Sequence, residues 1–191
     1  VPFVMGVYLS FTKFNTITSA TWVGMANYTR VFTDPVFLHS LWYTTAFTIV
    51  TAVIINVAAF FVAYILVKAI KGANIFRSVF FIPTAVSYVI AATIWRFGFF
   101  SGTRFGMINS FLRSLGMEPV NWLGGGNNLY WVALVSVRLW LQVGFYMILF
   151  LAGLQRISPT LYEAAAIDGA QGWKVLRYIT VPLLAPTSLF L

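Results

Sequence analysis

Long apolar runs separated by short polar segments dominate the pattern of this chain. The run at 37–67 contains no Asp, Glu, Lys or Arg over 31 positions, and a helix of about 20 residues already crosses the hydrocarbon of a bilayer. The run that begins at Ser78 contains Pro83, where a kink is expected. The pattern therefore predicts three whole membrane spans and two partial ones, in a chain that is incomplete at both ends. The whole spans are 37–67, 78–96 and 129–155, and the partial spans are 1–11 and 178–191.

The composition indicates that lipid is the solvent. Hydrophobic residues make up 60% of the 191 positions and charged residues 8%, whereas a soluble domain carries about a quarter charged residues. We therefore expect an all-α, polytopic transmembrane helical bundle that forms a single domain over 1–191. Cysteine is absent and His39 is the one histidine, which argues against disulfides and against a metal site built by the protein.

The basic residues predict the orientation of the bundle. The net charge is +8, but Lys and Arg are scattered at the ends of loops rather than gathered in a run that would bind nucleic acid. The segments 68–77 and 156–177 carry six of them in 32 positions, whereas 12–36 and 96–127 carry five in 57. Because Lys and Arg accumulate in cytoplasmic loops, the loop 156–177 is expected in the cytoplasm.

The pattern at 105–115 predicts a short helix along the outer surface.

The loop 156–177 is expected to contain a short helix between two spans. The side-chain oxygen of Ser158 can accept a hydrogen bond from an unpaired backbone N–H at the start of the helix, and the proline that follows has no N–H that would need a partner. Gly169 is placed where a left-handed residue would end the helix. Glu163 lies in its first half, where the helix dipole favours a carboxylate. From these residues alone two interpretations stay open: a helix that docks on another protein, and a capped loop without a partner.

A spaced motif begins in this loop and continues into the last span. Glu163-Ala164-Ala165 is followed after three residues by Gly169, and after nine more by Ile179-x-x-Pro182. This spacing resembles the signature loop of membrane permease subunits in ATP-binding-cassette (ABC) importers. Shorter stretches resemble the carbohydrate branch of that family: Phe80-Phe81-Ile82-Pro83, Phe105-Gly106-Met107-Ile108-Asn109, Asn121-Trp122-Leu123-Gly124 and Phe150-Leu151-Ala152-Gly153-Leu154-Gln155.

The resemblance implies a bundle of the type I ABC importer kind, whose cytoplasmic coupling helix docks into an ATP-hydrolysing subunit. The implied partners are a second permease subunit, two ATP-binding subunits that bind ATP and Mg, an extracytoplasmic solute-binding protein and a sugar. The implied location is the cytoplasmic (inner) membrane of a bacterium or archaeon. The chain itself would bind no cofactor and would not be an enzyme, and it contains no G-x-x-x-x-G-K phosphate-binding motif. The implied coupling residues are Glu163, Ala164, Ala165, Asp168 and Gly169.

Polar residues inside the spans are candidates for the solute path. A charge within a span costs about 2.5 to 3.5 kcal/mol, so Arg138 is the strongest of them. Gln142 and Tyr146 follow it at intervals of one turn on the same helix face, and by the resemblance this span lines the sugar path. Three roles stay open for Arg138: contact with the substrate, a pair with the partner permease, and snorkelling to the interface. The weaker candidates, which could instead make interhelical hydrogen bonds, are Asn56, Ser87 and Tyr88.

The function expected from the resemblance is import of a sugar or oligosaccharide by alternating access, with this chain forming half of the pathway. One alternative is an ABC permease for a non-sugar solute such as glycerol phosphate, a polyamine or an amino acid, and Arg138 would suit an anionic one. Another alternative is an ion-coupled secondary transporter. That class needs intramembrane carboxylates or broken helices to bind its ion, and the predicted spans contain no Asp or Glu.

Overall fold

The computed structural model describes residues 2–15, 19–68, 72–102, 106–124, 126 and 128–191. Over these residues the regular structure is helical apart from one antiparallel pair of two-residue strands, so the all-α expectation is confirmed. In this pair Thr12 of β1 (Thr12–Lys13) faces Trp22 of β2 (Thr21–Trp22). The α-helices are α1 (Pro2–Ser10), α2 (Ala26–Thr33), α3 (Pro35–Val67), α4 (Ala73–Phe81), α5 (Tyr88–Thr93), α6 (Met107–Ser114), α7 (Tyr130–Gln155), α8 (Pro159–Ile167), α9 (Trp173–Val175) and α10 (Val181–Phe190).

The chain divides into two compact units, one ending at Ile49 and the other beginning at Val50. In the first unit, a polar turn follows α1. The side-chain amide of Asn27 donates to the carbonyl oxygens of Ser10 and Thr12, both at 2.9 Å. These two bonds tie the start of α2 to the end of α1, so the predicted partial span at the N-terminal end leads into an ordered turn.

The longest helix, α3, begins two residues before the predicted span. The carboxylate of Asp34 accepts a hydrogen bond from the N–H of Val36 at 2.9 Å, and a proline occupies the first helical position, where no N–H is needed. Near the other end, the guanidinium of Arg77 donates to the carbonyl of Leu66 at 3.3 Å. This bond satisfies one of the last carbonyls of the helix, which have no partner within it.

The predicted span 78–96 is sharply bent rather than straight. The helical segments on either side of the break, Ala73–Ala85 and Tyr88–Phe99, meet at 94°. Pro83 cannot donate the backbone N–H that a continuous helix requires, and the backbone at Val86 and Ser87 is extended. In chain order, α4 is followed by a 3₁₀ turn at Ile82–Ala85, the two extended residues, α5 and a π-helical turn at Ile94–Phe99.

The core of the second unit joins α3, α7 and α10. Gly144 of α7 lies against the backbone of Phe80 and Phe81, so closely that a Cβ at this position would overlap the carbonyl oxygen of Phe80. The helix α7 therefore packs main chain to main chain on the end of α4. The buried core side chains are Ala59, Ala63, Leu66, Met147, Phe150, Leu151, Leu154 and Leu184.

Within the described ranges, α3 and α7 are long and apolar enough to cross a membrane, and the bent pair forms a third candidate. The last helical stretch begins inside the loop 156–177, since α9 runs through a π-helical turn at Leu176–Thr180 into α10. The short outer helix predicted at 105–115 corresponds to α6, and Phe105 lies outside the described residues.

Candidate functional site

The helix α8 forms the first half of the loop 156–177, and its start differs from the prediction. The hydroxyl of Ser158 pairs with the hydroxyl of Thr160 at 2.8 Å instead of capping a backbone N–H. The carbonyl of Ser158 accepts the N–H of Leu161 at 3.1 Å. The expected side-chain cap is therefore wrong, because the neighbouring hydroxyl takes the serine oxygen.

The end of α8 is a left-handed glycine turn. Gly169 has φ +73°, a conformation that costs glycine little because it has no Cβ. The N–H of Ala170 donates to the carbonyl of Ala165 at 2.8 Å, and the N–H of Gly169 donates to the carbonyl of Ala166 at 3.2 Å. These two bonds satisfy carbonyls of the last turn in the Schellman arrangement, so Gly169 ends the helix in the conformation that the sequence predicts.

The two faces of α8 have different surroundings. Ala165 is 5% exposed, and the hydroxyl of half-buried Tyr162 lies 3.4 Å from the hydroxyl of buried Thr180. On the other side Ile167 is 87% exposed. One face is thus held by the chain itself, and Ala165 belongs to that face. The predicted coupling residues that lie on exposed positions are Glu163, Ala164, Asp168 and Gly169.

A second group of polar side chains lies between α5 and α7. Nη1 of Arg138 donates to the phenolic oxygen of Tyr88 at 3.2 Å, and Nε2 of Gln142 donates to the same oxygen at 3.3 Å. The guanidinium carbon of Arg138 also lies 5.9 Å from the centroid of the Tyr88 ring. The structure therefore brings three of the predicted path residues together, and Tyr88 stands at the start of the helix that follows the bend. We call these three residues the Arg138 cluster.

The other predicted path residues are placed elsewhere. Tyr146 is half-buried against the apolar core, and Ser87 is exposed at the residue before α5. Asn56 lies on the wall of a largely apolar cavity of about 450 Å³, together with Phe60 and Trp173. Its amide nitrogen bonds to the carbonyl of Ala52 within α3. These three residues are not part of the Arg138 cluster.

One polar residue that the sequence did not single out organises the segments around α6. Asn109 is completely buried. Its side-chain nitrogen donates to the carbonyls of Ser101 and Val120 at 3.1 and 2.9 Å. Its side-chain oxygen accepts the N–H of Val120 and the indole N–H of Trp122, both at 3.0 Å. Two of the stretches that carry the family resemblance thus meet at this amide, a pairing that the linear sequence does not reveal.

No group of three His, Cys, Asp or Glu side chains that could hold a metal ion occurs among the described residues. The residues of α8 and those of the Arg138 cluster can make contacts and hydrogen bonds with another molecule. One is an exposed helix outside the spans, and the other is a guanidinium held by a phenol on a span.

The sequence profile of the binding-protein-dependent transport system inner membrane component family matches residues 71–191. The chain belongs to this family. It is therefore a permease component of a transport system and a multi-pass protein of the inner membrane.

Two relatives named as permeases cover the whole chain. The probable starch degradation products transport system permease protein AmyD of Thermoanaerobacterium thermosulfurigenes is 32% identical over 198 residues, which cover 100% of this chain and 65% of AmyD. The sn-glycerol-3-phosphate transport system permease protein UgpA of Brucella suis biovar 1 is 35% identical over 193 residues, which cover 100% of this chain and 64% of UgpA. The chain thus spans slightly less than two thirds of the length of either relative.

The fold is shared with a solved transporter. The crystal structure of a bacterial ABC transporter involved in the import of the acidic polysaccharide alginate matches with a TM-score of 0.84 at 22% identity. The match covers 99% of this chain and 63% of the solved chain. The fold of this chain is therefore also that of the matched transporter chain.

Proposed function

We propose that this permease forms half of the translocation pathway of an ATP-driven importer for a sugar or oligosaccharide, and that α8 couples it to a separate ATPase subunit. The observation that carries the proposal is the two-sided environment of α8. Its inner face is fixed by Ala165 and by the contact between Tyr162 and Thr180. Its outer face is free to receive another protein.

The outer face of α8 has the properties of a docking surface. Ile167 is 87% exposed, although it lies on a loop helix rather than on a lipid-facing span. Exposed apolar side chains beside polar ones are typical of protein contacts. The exposed alanines Ala164 and Ala166 allow a partner to approach the backbone closely, and Glu163 offers a carboxylate to a cation of that partner.

A short connection joins α8 to α7, so that a movement of α8 can displace α7. α8 begins at Pro159, four residues after α7 ends at Gln155. Arg138 lies 17 residues before Gln155, a distance of about 25 Å along the helix. A displacement of α8 by an ATPase would thus tilt the helix that carries Arg138 and Gln142. ATP binding would favour one packing of the helices over another, which is alternating access expressed as a population shift.

The remaining partners follow from the same proposal. ATP and Mg would be bound by two ATP-binding subunits, and a second permease subunit would complete the pathway. The description of the family supports an extracytoplasmic binding protein that delivers the solute. This chain would then carry no catalytic residue and no cofactor of its own.

The substrate class rests on the relatives. The name of AmyD refers to starch degradation products, which supports a sugar or oligosaccharide. The name of UgpA refers to sn-glycerol-3-phosphate, which supports the second candidate, a permease for a phosphorylated polyol. Arg138 suits that second candidate because a guanidinium binds phosphate well.

Cysteine cross-linking in the assembled transporter tests the coupling role. The chain has no native cysteine, so Glu163→Cys and Ile167→Cys can each be paired with single cysteines on the ATPase. We expect cross-links that change when ATP is added, together with loss of ATP-dependent uptake. Ala165→Cys is the matched control, because this buried position should not cross-link. A transporter that still imports solute but gives no cross-link at either exposed position would mean that α8 only connects two spans.

A further inference from the structure

The positive charge of Arg138 has no negative partner in the part of the chain that the structure describes. Its hydrogen bond is made to the phenol of Tyr88, which is uncharged in that role. The segments that carry the two residues, 73–99 and 129–155, contain no Asp or Glu at all. A guanidinium in a span needs compensation by an opposite charge or by water. The compensating group must therefore come from outside these helices.

The contacts of Arg138 point across to α5 rather than along α7. Arg138 is the ninth residue of a 26-residue helix, and its side chain bonds to a residue 50 positions earlier in the chain. A snorkelling arginine would instead extend along its own helix toward the headgroups. Tyr88 thus acts as a positioning residue, which fixes the guanidinium at the interface of α5 and α7.

Two further groups of the Arg138 cluster suit hydroxyl groups. The phenolic oxygen of Tyr88 accepts bonds from Arg138 and Gln142, which leaves its own O–H proton available as a donor. The amide of Gln142 uses its nitrogen in this contact, which leaves its oxygen available as an acceptor. A guanidinium, a hydroxyl donor and an amide acceptor therefore converge, with Tyr88 exposed and Arg138 and Gln142 half-buried.

We propose that the Arg138 cluster selects solutes that carry an anionic group, a carboxylate or a phosphate, next to hydroxyl groups. The inference rests on the proposed importer function and specifies its substrate class as acidic or phosphorylated sugars and polyols. The planar guanidinium matches both anions with two parallel hydrogen bonds. A neutral sugar could accept the same hydrogen bonds but would leave the charge uncompensated.

Uptake of matched solute pairs by the complete transporter in proteoliposomes tests the inference. The pairs are digalacturonate with galactobiose, glucose 6-phosphate with glucose, and glycerol 3-phosphate with glycerol. We expect ATP-dependent uptake of an anionic member in preference to its neutral counterpart, and the pair that responds distinguishes carboxylate from phosphate. Arg138→Gln should lower that uptake by about tenfold or more, because hydrogen bonds to charged groups are the stronger ones. Arg138→Lys, which keeps the charge, should retain more uptake than Arg138→Gln.

Arg96→Gln is the matched control, since Arg96 is exposed and lies beside the ring of Phe97 rather than in the Arg138 cluster. It removes one positive charge and should leave uptake unchanged.

The inference is overturned if no anionic member is taken up, or if Arg138→Gln transports it at the wild-type rate. It is also overturned if Arg138→Gln prevents assembly with the partner permease, because Arg138 would then be a structural residue. ATP-dependent uptake of a neutral solute that is unchanged in Arg138→Gln would refute this inference alone. Uptake that does not depend on ATP would refute the proposed importer function itself.

Discussion

Single polar residues inside this permease are held by partners that are distant in sequence. Asn109 binds the main chain of Val120 and the indole of Trp122, and Arg138 is held by Tyr88, 50 positions away. The sequence marked Arg138 because a charge in an apolar run is conspicuous. It did not mark Asn109, since an amide between apolar residues of a short amphipathic helix looks like part of its polar face. Burial of an amide becomes visible only when its partners are known.

Gly144 sets how closely α7 can approach α4. Gly144→Ala should destabilise the permease by about 1 to 3 kcal/mol, because overpacking of this order is expected when a Cβ meets a fixed carbonyl. The overlapping atom is the backbone oxygen of Phe80, which cannot rotate away as a side chain can. The midpoint of thermal unfolding in detergent would measure the loss.

Gly98→Ala is the control for this prediction, since a Cβ at Gly98 meets no atom within 4 Å. Both variants add one methyl group to a helical glycine. An unfolding midpoint for Gly144→Ala equal to or above that of Gly98→Ala would show that the two helices are not in main-chain contact.

Among the elements, the long helices could be predicted closely and the broken one could not. The predicted spans 37–67 and 129–155 correspond to α3 and α7 within two residues at each end, because an uncharged run ends where the helix leaves the apolar phase. The run 78–96 shows the same apolar character but contains a 94° bend. Pro83 indicates a break, yet nothing in the pattern of apolar residues encodes the extended conformation of Val86 and Ser87.

The turn that ends α8 depends on the left-handed conformation of Gly169. Gly169→Val should loosen the last turn of the helix, because a β-branched residue in the left-handed region costs about 1 to 2 kcal/mol. Gly169→Asn should have a smaller effect, since asparagine tolerates this conformation. Hydrogen exchange at the amide of Ala170, which bonds to the carbonyl of Ala165, would report the change. Equal exchange in both variants and the wild type would mean that the turn does not depend on the positive φ.

For the whole molecule, the apolar runs predicted a membrane bundle, and the spaced motif that starts at Glu163 predicted the permease family. The residues of the loop 156–177 are compatible both with a helix that docks on another protein and with a capped loop without a partner. Only the resemblance of the motif therefore indicated the family. Neither the apolar runs nor the motif indicates the packing of α7 on α4 or the contacts of Val120 and Trp122 with Asn109, since each depends on contacts between separate parts of the chain.

The orientation of the bundle can be tested with single cysteines in this cysteine-free chain. Ser114→Cys in α6 and Ala166→Cys in α8 both lie at exposed positions. The distribution of Lys and Arg predicts that α6 is outside and α8 is in the cytoplasm. A membrane-impermeant maleimide should label Ser114→Cys in intact cells and Ala166→Cys only after permeabilisation. Labelling of both from one side, or the reverse pattern, would contradict the predicted topology.

The bend between Ala85 and Tyr88 has a further consequence for hydration. A helix that restarts within an apolar segment begins with backbone N–H groups that have no acceptor in their own helix. Lipid tails cannot hydrogen-bond to these groups, so irregular backbone at membrane depth faces protein or water. The side of the bundle that presents the bend and the exposed ring of Tyr88 therefore faces protein or water rather than lipid. The main chain alone thus indicates a stretch of this segment that is not in contact with lipid.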